Sequence, residues 1–181
     1  SADGNAHFAY LLGRARARMG DWNEALDNYR RAVDGDDSYM VDPILLCDTV
    51  FTLGSPDEAV SNEAEALLTP HLSSQLVRKA LAETTWTASA DRTRDTAYEL
   101  LKENAIIPEL DDWRRASVRL RHGDGCDTYE KALARLVELD DPRALGVLRA
   151  VDDLPRRGCG AFNLRDCYRC VRGHIEEAIP T

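Results

Sequence analysis

The chain of 181 residues is 44% hydrophobic, which is long and apolar enough for one compact domain or a short repeat array and excludes a disordered chain. No apolar run approaches the about 20 residues that a membrane-spanning helix needs, so we expect no membrane span in this chain. The net charge of −9 is unevenly placed, because residues 1–112 carry 10 basic and 21 acidic side chains, a net of −11, whereas residues 113–181 carry a net of +2. We expect no nucleic-acid partner because an acidic surface repels phosphate backbones.

The pattern of apolar residues predicts about ten helices joined by short links, and no strands. The helices are expected near 6–19, 22–34, 43–53, 56–68, 71–88, 92–105, 109–122, 127–139, 142–153 and 164–177. Four helix starts are marked by a capping residue followed by proline, which costs nothing in the first helical turn because the missing donor has no helical partner there. These pairs are Asp42-Pro43, Ser55-Pro56, Thr69-Pro70 and Asp141-Pro142.

Short links between helices of this length favour antiparallel neighbours that lie side by side. The predicted fold class is therefore all-α, with antiparallel helix pairs in a short α-solenoid. A single irregular helical bundle is the alternative, because the spacing of the pairs is uneven.

The first two predicted helices have the residue spacing of one tetratricopeptide repeat. The matching residues are Leu12, Gly13, Ala15, Gly20, Asp21, Trp22, Glu24, Ala25, Leu26, Tyr29 and Ala32. Gly13 and Ala25 leave room for a close helix crossing, and Tyr29 fills the space beside it. Residues 6–37 therefore resemble a tetratricopeptide unit, and the resemblance implies a scaffold that binds a protein or a peptide.

A second, shorter resemblance lies further along the chain. Residues 139–148 resemble the helix junction of a HEAT-like repeat, which supports continued helical pairing. We expect one continuous domain, with the tetratricopeptide unit in residues 1–40, helical solenoid pairs in 41–122 and a cysteine-stabilised helical cap in 123–181. The pattern predicts no particular oligomeric state.

The tetratricopeptide resemblance also implies a binding surface on the first helix, which normally lines the concave side of the repeat. The corresponding positions are His7, Tyr10, Arg14, Ala17 and Arg18. Two arginines and a tyrosine suit an acidic peptide or its terminal carboxylate. The alternative is a solvated helix face with ordinary charges.

Four of the five cysteines lie in the last 56 residues, at positions 126, 159, 167 and 170. Antiparallel return of the helices is expected to bring Cys126 near Cys159, and Cys167 and Cys170 share one face of the last predicted helix. We therefore expect two disulfides that link neighbouring helices. Cys47 lies in an apolar run and is expected to be a buried free thiol.

Two other interpretations of the cysteine cluster remain open. Four thiolates suit a closed zinc site, and His122 or His174 can replace one of them. Alternatively, the cysteines stay reduced and pack as small apolar side chains. No other cofactor is expected from the sequence.

Three segments around these cysteines resemble segments in the C-terminal regions of bacterial eukaryotic-like serine/threonine protein kinases. They are residues 124–126, 158–160 and 166–170. The resemblance implies an accessory sensor or docking region of a larger regulatory protein, on the outer side of a membrane. Bridged cysteines favour that extracytoplasmic location, whereas zinc or free thiols favour the cytoplasm.

No catalytic constellation stands out in the sequence. The glycine-rich loop, the His-Arg-Asp loop and the Asp-Phe-Gly triplet of protein kinases are all missing from it, so we expect no enzyme in this chain. The enzymatic alternative is thiol–disulfide exchange at Cys167 and Cys170.

The most basic local run consists of Trp113, Arg114, Arg115, Arg119 and Arg121. We interpret it as a solvated helix face whose charges are balanced in part by the aspartates that precede it. Anion binding or phosphorylation of Ser117 is the alternative.

Overall fold

The structure, a computed structural model, describes residues 2–179 and is all-α, as the sequence predicts. The described residues contain ten α-helices. They are α1 (Ala2–Arg18), α2 (Trp22–Gly35), α3 (Pro43–Thr52), α4 (Glu58–Leu68), α5 (Gln75–Thr87), α6 (Asp91–Glu103), α7 (Asp112–His122), α8 (Cys126–Leu139), α9 (Ala144–Asp152) and α10 (Arg172–Ala178). Within residues 2–179, no helix has the length and apolar content that a membrane span requires.

The described residues form two compact units, and each is described here by itself. Residues 2–84 and 88–104 form the first unit, and residues 85–87 and 105–179 form the second. Helix α5 therefore contributes its last turn to the second unit.

In the first unit, α1 and α2 form an antiparallel pair. Gly13 lies against Tyr29 in the middle of the pair, and Ala6 lies against Gly35 at its far end. Gly20 has a φ of 77° in the turn that joins the helices, a conformation that glycine adopts without strain. The expected helix pair is thus formed.

The buried side of α2 forms the centre of the first unit. Ala25, Leu26, Tyr29 and Ala32 are fully buried, at the period of one helical face. This face packs against α1, and α2 also contacts α3 and α4.

Asp42 begins α3 as the sequence predicts. Its carboxylate accepts hydrogen bonds from the backbone amides of Ile44 and Leu45, and Pro43 occupies the first turn. The other proline signals are less accurate. Helix α4 begins at Glu58 because Asp57, rather than Ser55, accepts from a first-turn amide.

Helix α5 begins at Gln75 instead of near residue 71. The Thr69-Pro70 pair starts a short 3₁₀-helix, Thr69–His71, which ends in a turn before α5. Proline fits the first turn of either helix type, so the sequence signal does not distinguish between them.

The second unit is organised around a buried arginine. Arg172 is 5% exposed, and its guanidinium binds both oxygens of Asp166, at 2.7 and 3.1 Å. It also donates to the carbonyl oxygens of Asp152 and Leu154. One side chain therefore holds the end of α9, the loop that follows it and the start of α10 together.

Helix α10 corrects the sequence interpretation, because it begins at Arg172 rather than near residue 164. The preceding segment is a turn in which Cys159 and Arg165 form an isolated antiparallel bridge. Asp166 accepts from the backbone amide of Tyr168, which fixes the next turn. These contacts outside the helix outweigh the local helical pattern.

Candidate functional site

The expected binding surface lies on one side of α1, where successive helical turns place His7, Tyr10, Arg14 and Arg18 in a row. Tyr10 is 6% exposed, Arg14 is half-buried, and His7 and Arg18 are exposed. The fifth candidate, Ala17, is buried. The row therefore presents the half-buried cation of Arg14, with the exposed cation of Arg18 and the exposed imidazole of His7 on either side of it.

Tyr10 also belongs to a group of three aromatic side chains, Tyr10, Tyr29 and Tyr39, which we call the tyrosine cluster. The ring centroids of Tyr10 and Tyr39 are 4.9 Å apart, and those of Tyr10 and Tyr29 are 6.4 Å apart. His7 joins the cluster through a 2.9 Å contact between its Nδ1 and the hydroxyl of Tyr39. The cluster gives the row a rigid floor.

Two aspartates hold the cluster in place. The hydroxyl of Tyr10 donates to Oδ1 of Asp42 at 2.8 Å, and that of Tyr29 donates to Oδ2 of Asp48 at 2.5 Å. Asp42 also caps α3, so the cluster is tied to the first turn of that helix. Each carboxylate is therefore committed to donors within the unit.

The surroundings keep both phenols protonated. Burial raises the pKa of Tyr10 most, and the hydrogen bond to Asp42 raises it further. Burial likewise raises the pKa of Tyr29 far above its usual value, and the Asp48 carboxylate adds to this effect. Neutral phenols donate to carboxylates, so these contacts persist through the physiological pH range.

Arg14 has no oppositely charged partner in the part of the chain that the structure describes, whereas the aspartates around it accept hydrogen bonds from the tyrosine hydroxyls. Its guanidinium lies over the ring of Tyr10, 5.5 Å from the centroid. Among the side chains that the structure describes, in residues 5–160 and 162–179, no carboxylate forms an ion pair with it. A half-buried cation on an aromatic floor can accept a carboxylate from outside the chain.

The sequence did not identify Tyr39, Asp42 or Asp48 as parts of this site. Asp42 was recognised only as a helix cap, and Tyr39 lies in a short 3₁₀-helix, Asp37–Val41. A helical period connects neighbours three or four residues apart, whereas Tyr10 and Asp42 are 32 residues apart.

The four clustered cysteines form two disulfides, Cys126–Cys170 and Cys159–Cys167. Two disulfides were expected, but neither joins two helices, because Cys170 lies in the turn before α10 and Cys159 and Cys167 both lie between α9 and α10. Gly158 and Gly160 have φ values of 128° and 72°, and the reversal between them closes a short loop around the Cys159–Cys167 bridge. Glycine reaches this region without strain.

The other interpretations of these cysteines are wrong. All four sulfur atoms are bonded in pairs, which leaves no thiolate for zinc, and the described residues contain no cluster of three or more metal-binding side chains. Cys167 and Cys170 bind different partners, so they do not form the exchange pair considered from the sequence. His122 instead contacts the carbonyl oxygen of Thr85, and His174 lies near Glu177.

Cys47 is a free and exposed cysteine, which corrects the expectation of a buried thiol. In α3, Leu45, Leu46, Thr49 and Val50 occupy the buried side. Residue 47 falls on the opposite side of the same helix. A short apolar run alone does not show which of its members face the core.

The basic run of α7 divides between two environments. Arg114 is 7% exposed, binds Asp111 at 2.6 Å and lies over the ring of Trp113. Arg115 and Arg119 instead face a groove between α7 and α8. The expectation of a single solvated face is therefore wrong.

No protein-family model matches this chain, and no curated protein or solved structure is significantly similar to it.

Proposed function

We propose that the chain is a protein- or peptide-binding scaffold in which the His7–Arg18 side of α1 binds an acidic peptide or its terminal carboxylate. The observation that carries the proposal is the half-buried Arg14 without an ion-pair partner among the described residues. The nearby carboxylates of Asp42 and Asp48 accept hydrogen bonds from the tyrosine hydroxyls, and that of Asp42 also accepts from helix amides. A ligand carboxylate can therefore bind the half-buried guanidinium of Arg14, with Arg18 one turn further along the helix.

The shape of this surface supports a peptide. Tyr10 and Tyr39 form an aromatic floor along one side of the helix, and Arg18 lies one turn beyond Arg14. Arginine binds a carboxylate with two parallel hydrogen bonds, which fixes its orientation. The floor then contacts the apolar parts of the residue that precedes the carboxylate.

The context proposed for this scaffold is a tetratricopeptide-like solenoid within a larger bacterial regulatory protein, such as a eukaryotic-like serine/threonine kinase. What supports it is the α1–α2 pair and the cysteine segments that resemble those proteins. Disulfides persist in oxidising compartments, so the two bridges support an extracytoplasmic location. In this role the chain binds rather than catalyses.

The proposal is tested by fluorescence anisotropy with a fluorescein-labelled hexaglutamate peptide that has a free terminal carboxylate. We expect saturable binding that weakens by about tenfold in Arg14→Gln, because a charged hydrogen bond contributes about 1.5 kcal/mol or more. Arg31→Gln is the matched control, since Arg31 is an exposed arginine on α2 that pairs with Asp27.

Three results decide between the possibilities. The expected one is weaker binding by Arg14→Gln alone and weaker binding of the peptide with an amidated terminus. Equal losses in Arg14→Gln and Arg31→Gln contradict the proposal, because they indicate attraction between exposed charges without a defined site. No saturable binding by the wild-type protein also contradicts it.

A further inference from the structure

A groove of about 510 Å³ lies between α7 and α8 in the second unit. Its rim carries four cations, Arg115 and Arg119 from α7 and Lys131 and Arg135 from α8. The members of each pair are four residues apart, so they extend from one side of their helix on successive turns. These cations lie in the part of the chain, residues 113–181, that carries 13 basic and 11 acidic side chains.

One end of the groove already binds an anionic group. The carboxylate of Asp112 pairs with Arg115 through Oδ1 and with Arg135 through Oδ2, the latter at 2.5 Å. The hydrogen bond from Arg135 lowers the pKa of Asp112 most, which keeps this carboxylate charged. Two guanidinium groups are therefore oriented toward one oxygen-bearing anion.

The other end of the groove has the same charge but no such anion. Arg119 and Lys131 are exposed and form no ion pair with any side chain described in residues 5–160 and 162–179. Asp127 lies one turn before Lys131 on α8, yet it is not within ion-pair distance. This end is thus positively charged and open.

The floor of the groove suits a small polar ligand. Ala116 and Ala132 line it, and their short side chains leave its volume free. Thr128 also lines it, and among the described residues its hydroxyl has no hydrogen-bond partner. A hydroxyl that lines the same groove as these cations can donate to a phosphate oxygen.

We propose that this groove binds a compact ligand with two adjacent phosphate groups. One phosphate lies between Arg119 and Lys131 and accepts from Thr128. The second lies near Arg115 and Arg135, where it competes with Asp112. The proposal concerns the second unit and does not depend on the peptide-binding surface of α1.

Isothermal titration of the full chain with pyrophosphate at low ionic strength tests the proposal. We expect one site per chain, with affinity reduced by about tenfold in Arg119→Gln and in Lys131→Gln, since each removes one charged hydrogen bond. Arg149→Gln is the matched control, because Arg149 is an exposed arginine on α9 outside the groove. Thermal melts of each variant establish that it remains folded.

Asp112→Asn is the most discriminating variant. It removes the internal competitor and frees two guanidinium groups, so we expect tighter binding by about threefold or more, because a negative charge beside the ligand phosphate has been removed. Weaker binding by folded Asp112→Asn overturns the proposal. So does an absence of saturable binding by the wild-type chain, or an equal loss in Arg149→Gln and Arg119→Gln.

A second experiment distinguishes a soluble diphosphate from a phospholipid headgroup, which has the same phosphate chemistry. The chain is sedimented with phosphatidylglycerol vesicles in the presence and absence of pyrophosphate. We expect binding of pyrophosphate in solution whether or not vesicles are present. Binding to vesicles without binding to pyrophosphate overturns the assignment of a compact soluble ligand.

Discussion

A β-carbon placed on Gly13 would lie 2.5 Å from Cδ1 of Tyr29, closer than atoms of this kind approach in proteins. The same β-carbon would lie 3.1 Å from the carbonyl oxygen of Ala25. The crossing of α1 and α2 therefore depends on the absence of a side chain at Gly13. It also fixes the position of Tyr29, whose hydroxyl binds Asp48 below the proposed peptide surface.

Enlarging Ala25 is expected to destabilise this crossing. Ala25 is fully buried, so Ala25→Leu adds volume with no space to receive it and lowers the free energy of unfolding by about 1 to 3 kcal/mol. Urea denaturation monitored by circular dichroism measures the change. Ala15→Leu is the control, because Ala15 is exposed on α1, and its effect is expected within about 0.5 kcal/mol. Equal stabilities for both variants would contradict the described packing.

The raised pKa of Tyr29 predicts a loss of stability at alkaline pH. The folded-state pKa exceeds the unfolded value of about 10, so this stabilisation is complete below pH 10 and decreases as the pH rises above it. For one such group the slope is about 1.4 kcal/mol per pH unit. Urea denaturation at a series of pH values from about 8 to about 11 measures this slope.

Tyr29→Phe provides the comparison for that measurement. At neutral pH it is expected to cost about 1 kcal/mol, the contribution of the lost hydrogen bond to Asp48. Above pH 10 its free energy of unfolding should decline less steeply than that of the wild-type protein, because one titrating group has been removed. Parallel curves for the two proteins would show that Tyr29 is not held protonated in the folded state.

The two disulfides are expected to contribute unequally. Cys126 and Cys170 are 44 residues apart, whereas Cys159 and Cys167 are 8 apart. In the chain-entropy model the longer loop corresponds to about 4 kcal/mol and the shorter one to about 2.5 kcal/mol. Paired Cys→Ser variants of each bridge, compared by urea denaturation, test the order. A larger loss from the shorter loop would contradict this entropic account.

Thiol counting tests the cysteine pairing itself. Alkylation of the unreduced, denatured protein should label Cys47 alone. Before alkylation, the mass of the unreduced protein should be lower by four hydrogens than that of the reduced protein. In the native protein Cys47 should also react, because it is exposed. Labelling of any other cysteine before reduction would exclude the described pairs.

The sequence predicted the helices best where one helical face is buried against a neighbour. The small residues Gly13 and Ala25 and the buried period of α2 correctly predicted a close antiparallel pair. Helix α10 was misplaced because its apparent start lies in a loop held by a disulfide and by the contact of Asp166 with Arg172. A local pattern contains no information about such distant constraints.

The candidate sites were likewise predicted only where the residues belong to one helix. Arg14 and Tyr10 were identified from the tetratricopeptide resemblance of the first helix. The two aspartates that support the tyrosine cluster were not identified, because other elements supply them. The α7–α8 groove was also missed. Arg115 and Arg119 were recognised as basic, but only the packing of α8 places Lys131 and Arg135 opposite them.

The most direct test of the proposed peptide surface is a titration of the ¹⁵N-labelled chain with the hexaglutamate peptide, followed by two-dimensional NMR. We predict that the largest amide shift changes occur in α1, at His7, Tyr10, Arg14 and Arg18, and that they saturate with the affinity measured by anisotropy. Arg14→Gln should reduce these changes while leaving the rest of the spectrum unaltered. Changes confined to the groove between α7 and α8, with α1 unaffected, would contradict the account.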